Sequence, residues 1–384
     1  MKNIPTNTLD IPTGTASGMN NNGPNNLLET AALGVNKDGT IIVGIRGPSK
    51  EYSIYWMDGS PPTIIRIERL QDGTHVDALA VNRDGGIAVG NGDTTGGVER
   101  AFRWKKDRTP KMEILRTPDG YSMSVARALN KVGNIIVGYS FNARDFTENA
   151  IRWSDASNQL EVEVLSSPAG TNHCYARGTD DIGTTIVGEC LLPNSYWNAV
   201  CWLGGTTTEV TILECLGNRS NAFAHAVSGD GNVIVEISTE PGNQSIGHAV
   251  RWKRNPDTNT FNIENLGVSP STYQPNWWTA DAFGVNSDGT VIVGECRYPG
   301  TSEGSTWSEA FIWREDATPK VQKLDNVTPG YKLSSANDVT KRDDGTIIAV
   351  GYSTPRDGGQ VAVRWRNDLS VERLWGGAQE SEGA

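Results

Sequence analysis

Ala32-Leu33-Gly34-Val35-Asn36-Lys37-Asp38-Gly39-Thr40-Ile41-Ile42-Val43-Gly44 returns, little changed, as Ala78-Leu79-Ala80-Val81-Asn82-Arg83-Asp84-Gly85-Gly86-Ile87-Ala88-Val89-Gly90. Small residues lead into a glycine-containing turn, and a run rich in Thr, Ile and Val then ends on a second glycine. Outward from these two copies, turn glycines recur at Gly133, Gly183, Gly231, Gly289 and Gly345. Strand-ending glycines recur at Gly138, Gly188, Gly294 and Gly351, and only the fifth copy departs, with Glu236. A loop and a strand closing on tryptophan follow each copy, at Trp56, Trp104, Trp153, Trp202, Trp252, Trp313 and Trp365. These anchors are 48, 49, 49, 50, 61 and 52 residues apart, and a period near fifty marks a repeat architecture.

Short runs of Val, Ile and Thr bounded by Gly, Asn and Asp read as strands, and no helical periodicity competes. In Asn36-Lys37-Asp38-Gly39 the Asn suits the first position of a type I turn, and the Gly supplies the left-handed residue of a hairpin bulge. Asn82, Asn130, Asp180, Ser228 and Asn286 stand equivalently. The third strand is Ala101-Phe102-Arg103-Trp104 or its relatives, and a fourth follows, as at Ile64 to Leu70. Four antiparallel strands in about fifty residues match a propeller blade, whereas a β-helix turn needs about 20 to 25. The expectation is an all-β, seven-bladed β-propeller of four-stranded antiparallel blades. Its units span about 31–70, 78–115, 126–165, 176–213, 224–266, 282–324 and 336–374. Small residues in the first strand suit a crowded axis, and the tryptophans suit the wedges between blades.

Gly247-His248-Ala249-Val250-Arg251-Trp252 and Ala282-Phe283-Gly284-Val285-Asn286-Ser287-Asp288-Gly289 resemble the units of the HAF-repeat family of bacterial proteins. Those units carry an Ala-x-Gly-Val-Ser/Asn-x-Asp-Gly turn, a Val-Val-Gly strand end and a His-Ala-Phe-x-Trp strand. The resemblance covers roughly residues 31 to 374. It implies a repeat fold and export, since many relatives look like surface or secreted proteins, some of them autotransporter passengers. It implies no single reaction.

A net charge of -11 and a pI near 5.0 argue against a phosphate-binding surface, so no nucleic-acid partner is expected. No stretch reaches the roughly 20 apolar residues of a membrane span. Residues 1 to 29 are rich in Asn, Thr, Pro and Gly and lack the apolar core of a secretory signal. Three routes stay open: a cytoplasmic protein, a signal already removed, or export by a dedicated machine, including delivery into a host cell. Thr8-Leu9-Asp10-Ile11-Pro12 echoes the fourth-strand pattern of Val371-Glu372-Arg373-Leu374 and is a candidate latch beside the last blade. The tail 376–384 is small and acidic and reads as disordered.

Cys174, Cys190, Cys201, Cys215 and Cys296 are odd in number and show no Cys-x-x-Cys spacing, so packing and a reducing compartment, or rapid export, are expected. His75, His173, His225 and His248 are scattered, and zinc sites need clustered ligands; no metal or other cofactor is expected. The turn motif is not a calcium loop, which needs oxygen ligands at alternate positions and a distal Glu.

Function is expected where the repeats break, because loops on a rigid scaffold carry binding residues. Antiparallel order puts the loop between strands two and three, and the link to the next blade, on one face, and the glycine turns on the other. Both insertions of the long sixth unit, Gly267 to Asp281 and Arg297 to Ser308, fall on the first face. They carry Tyr273, Trp277, Trp278, Tyr298 and Trp307, and unit four adds Tyr196 and Trp197. Such aromatics serve protein hot spots or stack on sugars, or else fold down to plug the loops. Glu189 and Glu295 follow strand glycines and Glu236 replaces one, so three carboxylates approach one rim. Paired carboxylates are the apparatus of glycoside hydrolysis, but no general-base partner or metal cluster supports that use. The reading is a monomeric recognition or adhesion propeller for a protein or glycan, using the long-loop face. Its rivals are an effector acting in a host cell by protein contacts, and a glycan hydrolase or lyase using the three glutamates.

Overall fold

Asn36 shows how the repeat dictates the chain path. In the computed structural model, which describes residues 30–47, 52–60, 62–156, 159–204, 209–217, 220–269, 278–300, 305–356 and 358–374, its Oδ1 accepts the backbone N–H groups of Thr40 and Ile41, both at 2.9 Å. Asn130 Oδ1 does the same for Asn134 and Ile135, and Ser228 Oγ for Asn232 and Val233. Each hairpin is thus closed from within by its first turn residue. The turn glycine takes the left-handed conformation, with φ 63° at Gly39 and 74° at Gly133.

Thr30–Val35, Ile41–Arg46, Tyr52–Met57 and Thr63–Ile67 form an antiparallel sheet in which each strand pairs with the next in sequence. The chain is an all-β propeller of such four-stranded blades, but the expectation of seven separate ones is corrected. Five sheets are discrete four-stranded blades, and the strands of repeats five and six make one eight-stranded sheet. The joint is the long strand Asn243–Arg254, whose first half pairs in parallel with Trp278–Val285 at Ile246↔Trp278 and Gly247↔Thr279. The first strands of all repeats pack side by side in a ring, and the last, Ser334–Lys341, packs against Thr30–Val35.

The strand-ending glycine is set by the axis. A Cβ on Gly44, Gly138 or Gly188 would stand 2.0, 1.9 or 1.8 Å from a carbonyl oxygen of the first strand, well inside contact distance. At the same level the first strand carries one extra residue, so that Ala126 and Ala128 pair with consecutive residues Gly138 and Val137; this is a β-bulge. Where Glu236 replaces the glycine, the innermost strand of that repeat shortens to Ala226–Val227, although the Phe223 and His225 N–H groups still donate to the carbonyls of Ile237 and Val235.

Between blades, the tryptophans are buried and tie one repeat to the one before. Trp153, Trp202 and Trp252 donate Nε1–H to the carbonyls of Arg116, Ser166 and Glu214, each at 2.7 Å, and Trp365 donates to Asp325 at 2.6 Å. The arginine before some of them bridges outward: Arg364 pairs with Glu372 on its own blade and Asp58 on the first, with its guanidinium 4.9 Å from the Trp56 ring centre. Ring closure uses the ordinary inter-blade bond. The Ala362 N–H donates to Thr30 Oγ1 at 2.8 Å, as those of Ala101 and Ala310 donate to Ser124 and Ser334. The proposed latch at residues 8–12 and the tail 376–384 lie outside the described residues.

The cysteine reading is also corrected. Cys174 and Cys190 stand directly opposite on neighbouring strands and form a disulfide, while Cys201, Cys215 and Cys296 are free thiols. Cys296 has the sequence position of Cys190, but its cross-strand partner is Ala280. Among the described residues no helix is long and apolar enough to cross a membrane.

Candidate functional site at the axis

The extra residue of each bulge stands on the innermost strand, and its identity varies around the ring. It is Leu33, Leu79, Phe283 or Asn337 in four repeats, but Arg127 and Arg177 in the third and fourth. His225 occupies the matching place in the fifth. Ionisable side chains are therefore gathered on one side of the axis, on three successive repeats.

The three glutamates singled out from sequence surround this group. Arg177 Nε donates to Glu189 Oε1 at 2.8 Å, and His225 Nδ1 lies 4.0 Å from Glu236 Oε1. Glu295 faces Arg297 at 3.1 Å, and the same guanidinium pairs with Asp281 at 2.9 Å. All three glutamates are buried, at 1%, 5% and 4% exposure for Glu189, Glu236 and Glu295, so none reaches a rim. One carboxylate oxygen of each has no hydrogen-bond partner. Burial, reinforced by the Glu189 charge, pushes Glu236 well above the usual carboxylate range. Burial and Asp281 push Glu295 up to about 7 against the pull of Arg297. Burial and the two neighbouring guanidinia hold His225 down to about 3. For Arg177, burial opposes the charge, but Glu189 outweighs it and holds the guanidinium above its ordinary range.

Beside the charged layer runs an arc of rings. Tyr139 meets Tyr175 edge-on at 4.9 Å, Tyr175 meets Trp197 at 5.6 Å, and Trp197 meets Phe223 at 6.2 Å. All four are only partly buried. Arg127 lies over Tyr139 at 5.6 Å and Arg177 over Tyr175 at 5.2 Å, so arc and cations form one surface. Trp197 follows the loop between the second and third strands of its repeat, which sets the arc at the loop-side end of the axis.

Of the loop aromatics expected to bind, Trp197 lies in this arc and Tyr196 beside it is partly exposed. Trp278 and Tyr298 are buried at 5% and 6% exposure in a core with Val268, Ala280, Ala282 and Trp313. Trp307 packs against that core, under the Lys332 ammonium at 5.1 Å. Trp278 and Tyr298 plug the sixth repeat, Trp278 sharing a strand face with Ala280 and Ala282, while Trp307 stays partly exposed. Tyr273 and Trp277 lie outside the described residues. Arg127, Arg177 and His225 were missed from sequence, although a charged residue between two small ones in a first strand, as in Ala126-Arg127-Ala128, was the available signal.

At the opposite end of the axis the glycine turns frame a cavity of about 590 Å³, with Lys37, Arg83, Lys131, Asp181, Asp230 and Asp288 in its wall. Its rim is a relay of backbone bonds. The Lys37 N–H donates to the Arg83 carbonyl, Arg83 to Lys131, Lys131 to Asp181 and Asp181 to Gly229, at 3.0 to 3.3 Å. The charges there neutralise one another, Lys37 with Asp343 and Arg83 with Asp181. Among the described residues no group of three His, Cys, Asp or Glu side chains is placed to hold a metal ion.

No family model matches the chain, and no curated protein matches it. Solved structures do. An oligogalacturonate lyase from Vibrio parahaemolyticus aligns with a TM-score of 0.55 at 12% identity, over 88% of this chain and 89% of that one. The β-propeller domain of the Trilobed protease from Pyrococcus furiosus, described as having an open velcro topology, aligns at 0.54 and 10% identity, over 91% and 96%. TolB from Acinetobacter baumannii aligns at 0.43 and 14% identity over 76% of this chain, which spans 61% of that protein. The first two likenesses show the propeller fold and nothing finer.

Proposed function

We propose that this protein is a non-catalytic recognition propeller that holds a glycan on the loop-side end of its axis, against Tyr139, Tyr175, Trp197 and Phe223. The arc of partly exposed rings carries the reading. Partly exposed aromatic side chains present flat apolar faces of the kind that stack on sugar rings, while the tryptophans that serve packing are enclosed between blades. The rival hydrolase or lyase reading lacks the required access. A general acid or nucleophile must come within hydrogen-bond reach of its substrate, and the partnerless oxygens of Glu189, Glu236 and Glu295 have no accessible surface.

A glycan array with the intact chain, run beside Trp197→Ala and Trp278→Ala variants, tests this. The arc variant is expected to lose the retained glycans while keeping the wild-type circular dichroism spectrum. A Trp278→Ala chain that still folds should retain them. Binding that survives Trp197→Ala, or an array on which the wild type retains nothing, refutes the reading; capture of a protein instead returns the propeller to the protein-binding class.

A further inference from the structure

We propose that Arg127 and Arg177 form an anion-binding site beside the aromatic arc, so that the ligand of this propeller is an acidic sugar whose ring stacks on the arc and whose anionic group meets the two guanidinia. The inference deepens the glycan reading and rests on it for the ring, but not for the anion.

The observation that carries it is an imbalance. The other well-buried arginines of the fold are each neutralised twice: Arg103 by Glu113 and Asp155, Arg251 by Glu264 and Glu315, and Arg364 by Glu372 and Asp58. These six carboxylates lie in the wedges between blades. At the axis the accounting differs. Arg177 has Glu189, whereas Arg127 has no carboxylate within ion-pair distance among the described residues, and its Nε makes no hydrogen bond. Arg127 meets the Tyr139 ring at 5.6 Å and hydrogen-bonds its hydroxyl; burial and the like charge of Arg177 lower its proton affinity against the pull of Tyr139 and the more distant Glu189.

Two guanidinia brought together in a protein interior repel and lose hydration, and such groups are kept where an anion completes them. The remaining neighbours do not supply one. Burial and the two guanidinia hold His225 down to about 3, and burial and the Glu189 charge push Glu236 above the usual carboxylate range. Among the described residues Glu189 pairs with Arg177 and Glu236 stands nearest His225, so neither carboxylate comes within ion-pair distance of Arg127. Repeats without these cations place Leu33, Leu79, Phe283 and Asn337 at the bulge, so the ring does not need arginine there to close.

Arg127 is partly exposed and the His225 side chain keeps 32% of its surface, while the Arg177 side chain keeps 9%. A guanidinium fork accepts a carboxylate or sulfate through paired N–H donors, and the adjacent rings present the apolar surface that a pyranose would cover.

Isothermal titration of the intact chain with D-glucuronate, D-glucose and inorganic sulfate, at low and high salt, separates the two components. The wild type is expected to bind glucuronate at least about ten-fold more tightly than glucose, since one charge-assisted hydrogen bond to a guanidinium contributes on that order. Arg127→Gln should erase the preference and the sulfate binding while leaving any glucose binding and the melting temperature within the wild-type range. Trp197→Ala should weaken both sugars and spare sulfate. Equal affinity for glucuronate and glucose in the wild type, a preference that persists in Arg127→Gln, or no binding of glucuronate and sulfate at all, overturns the anion site. Sulfate binding that is lost in Arg127→Gln, with sugar binding insensitive to Trp197→Ala, upholds the anion site and overturns the arc. If Arg127→Gln melts early, Arg127→Lys, which keeps the charge, must restore sulfate binding for the proposal to stand.

Discussion

Glu295→Gln should stabilise this protein at alkaline pH and leave it unchanged in acid. Glu295 is 4% exposed, faces Arg297, Asp281 and Ser335, and has its pKa raised from 4.5 to about 7. A group whose folded pKa lies above its unfolded value holds more protons in the native state, so stability falls as pH rises between the two values. The fall is one proton's worth, about 1.4 kcal/mol per pH unit, and over that gap it totals about 3 kcal/mol. Gln imitates the protonated acid and cannot ionise. Arg297 keeps Asp281 at 2.9 Å in the variant, so no cation is stranded. Urea denaturation of both chains from pH 4 to pH 9 reads the difference directly. The two should coincide near pH 4 and diverge steadily, with the variant more stable by about 3 kcal/mol above pH 8. Glu236, which is also pushed up, contributes the same slope to both and cancels. A difference that is flat with pH, or a wild type that is the more stable chain at pH 8, would show that Glu295 is held ionised by Arg297 and that the burial argument fails.

Trp153→Ala should cost about 3 to 5 kcal/mol in the same denaturation assay, because a fully enclosed indole leaves the wedge and a cavity remains; a loss under about 1 kcal/mol would contradict the wedge. Trp153→Phe should cost about 1 to 3 kcal/mol, chiefly by orphaning the Arg116 carbonyl. Gly138→Ala should cost about 3 kcal/mol or more, since the new Cβ would sit 1.9 Å from the Val125 oxygen. Gly345→Ala, with nothing within 4 Å but a φ of 84°, should cost only about 1 kcal/mol. Unfolded without reductant, the chain should expose three thiols to an alkylating reagent and, after reduction, five, as counted by mass spectrometry; five in both states would dismiss the disulfide.

The repeat made strands, turns and wedge tryptophans readable because each is enforced by a local rule: an Asx side chain closing the hairpin, a left-handed glycine, an indole between neighbours. What escaped depended on register. Trp278 was read as part of a link, yet it opens an innermost strand three turns of the pleat from Gly284, on the face of Ala280 and Ala282, and so is buried. The Cys174–Cys190 bridge could be foreseen only by pairing Ala176 with Gly188. The axial arginines were hidden for a related reason. A bulge adds a residue without changing the spacing of the turn motif, so nothing in the period of the repeat reports where that residue points.

Glu236 shows how the irregular positions act together. The glycine it replaces permits the close approach of the first strand in the neighbouring copies, and in the fifth repeat regular pairing narrows to Ala226↔Val235 and Val227↔Ile234, with Ala222↔Ser238 isolated, while the Phe223 and His225 N–H groups still donate to the Ile237 and Val235 carbonyls. In the same repeat the third strand runs long and joins Trp278–Val285, binding repeats five and six where the innermost ladder is weakest. The glutamate itself is buried beside the Arg177–Glu189 pair, and burial and the Glu189 charge raise its pKa. One departure from the repeat therefore coincides with a shortened regular pairing in its own blade, beside the axial cations. Glu236→Gln, which preserves the shape and removes the titration, should retain the sulfate affinity of the axial site. Glu236→Gly should lengthen the inner ladder, read as slower amide exchange at His225 and Ala226. Faster exchange there in Glu236→Gly would mean that the glutamate supports the fifth repeat and does not interrupt it.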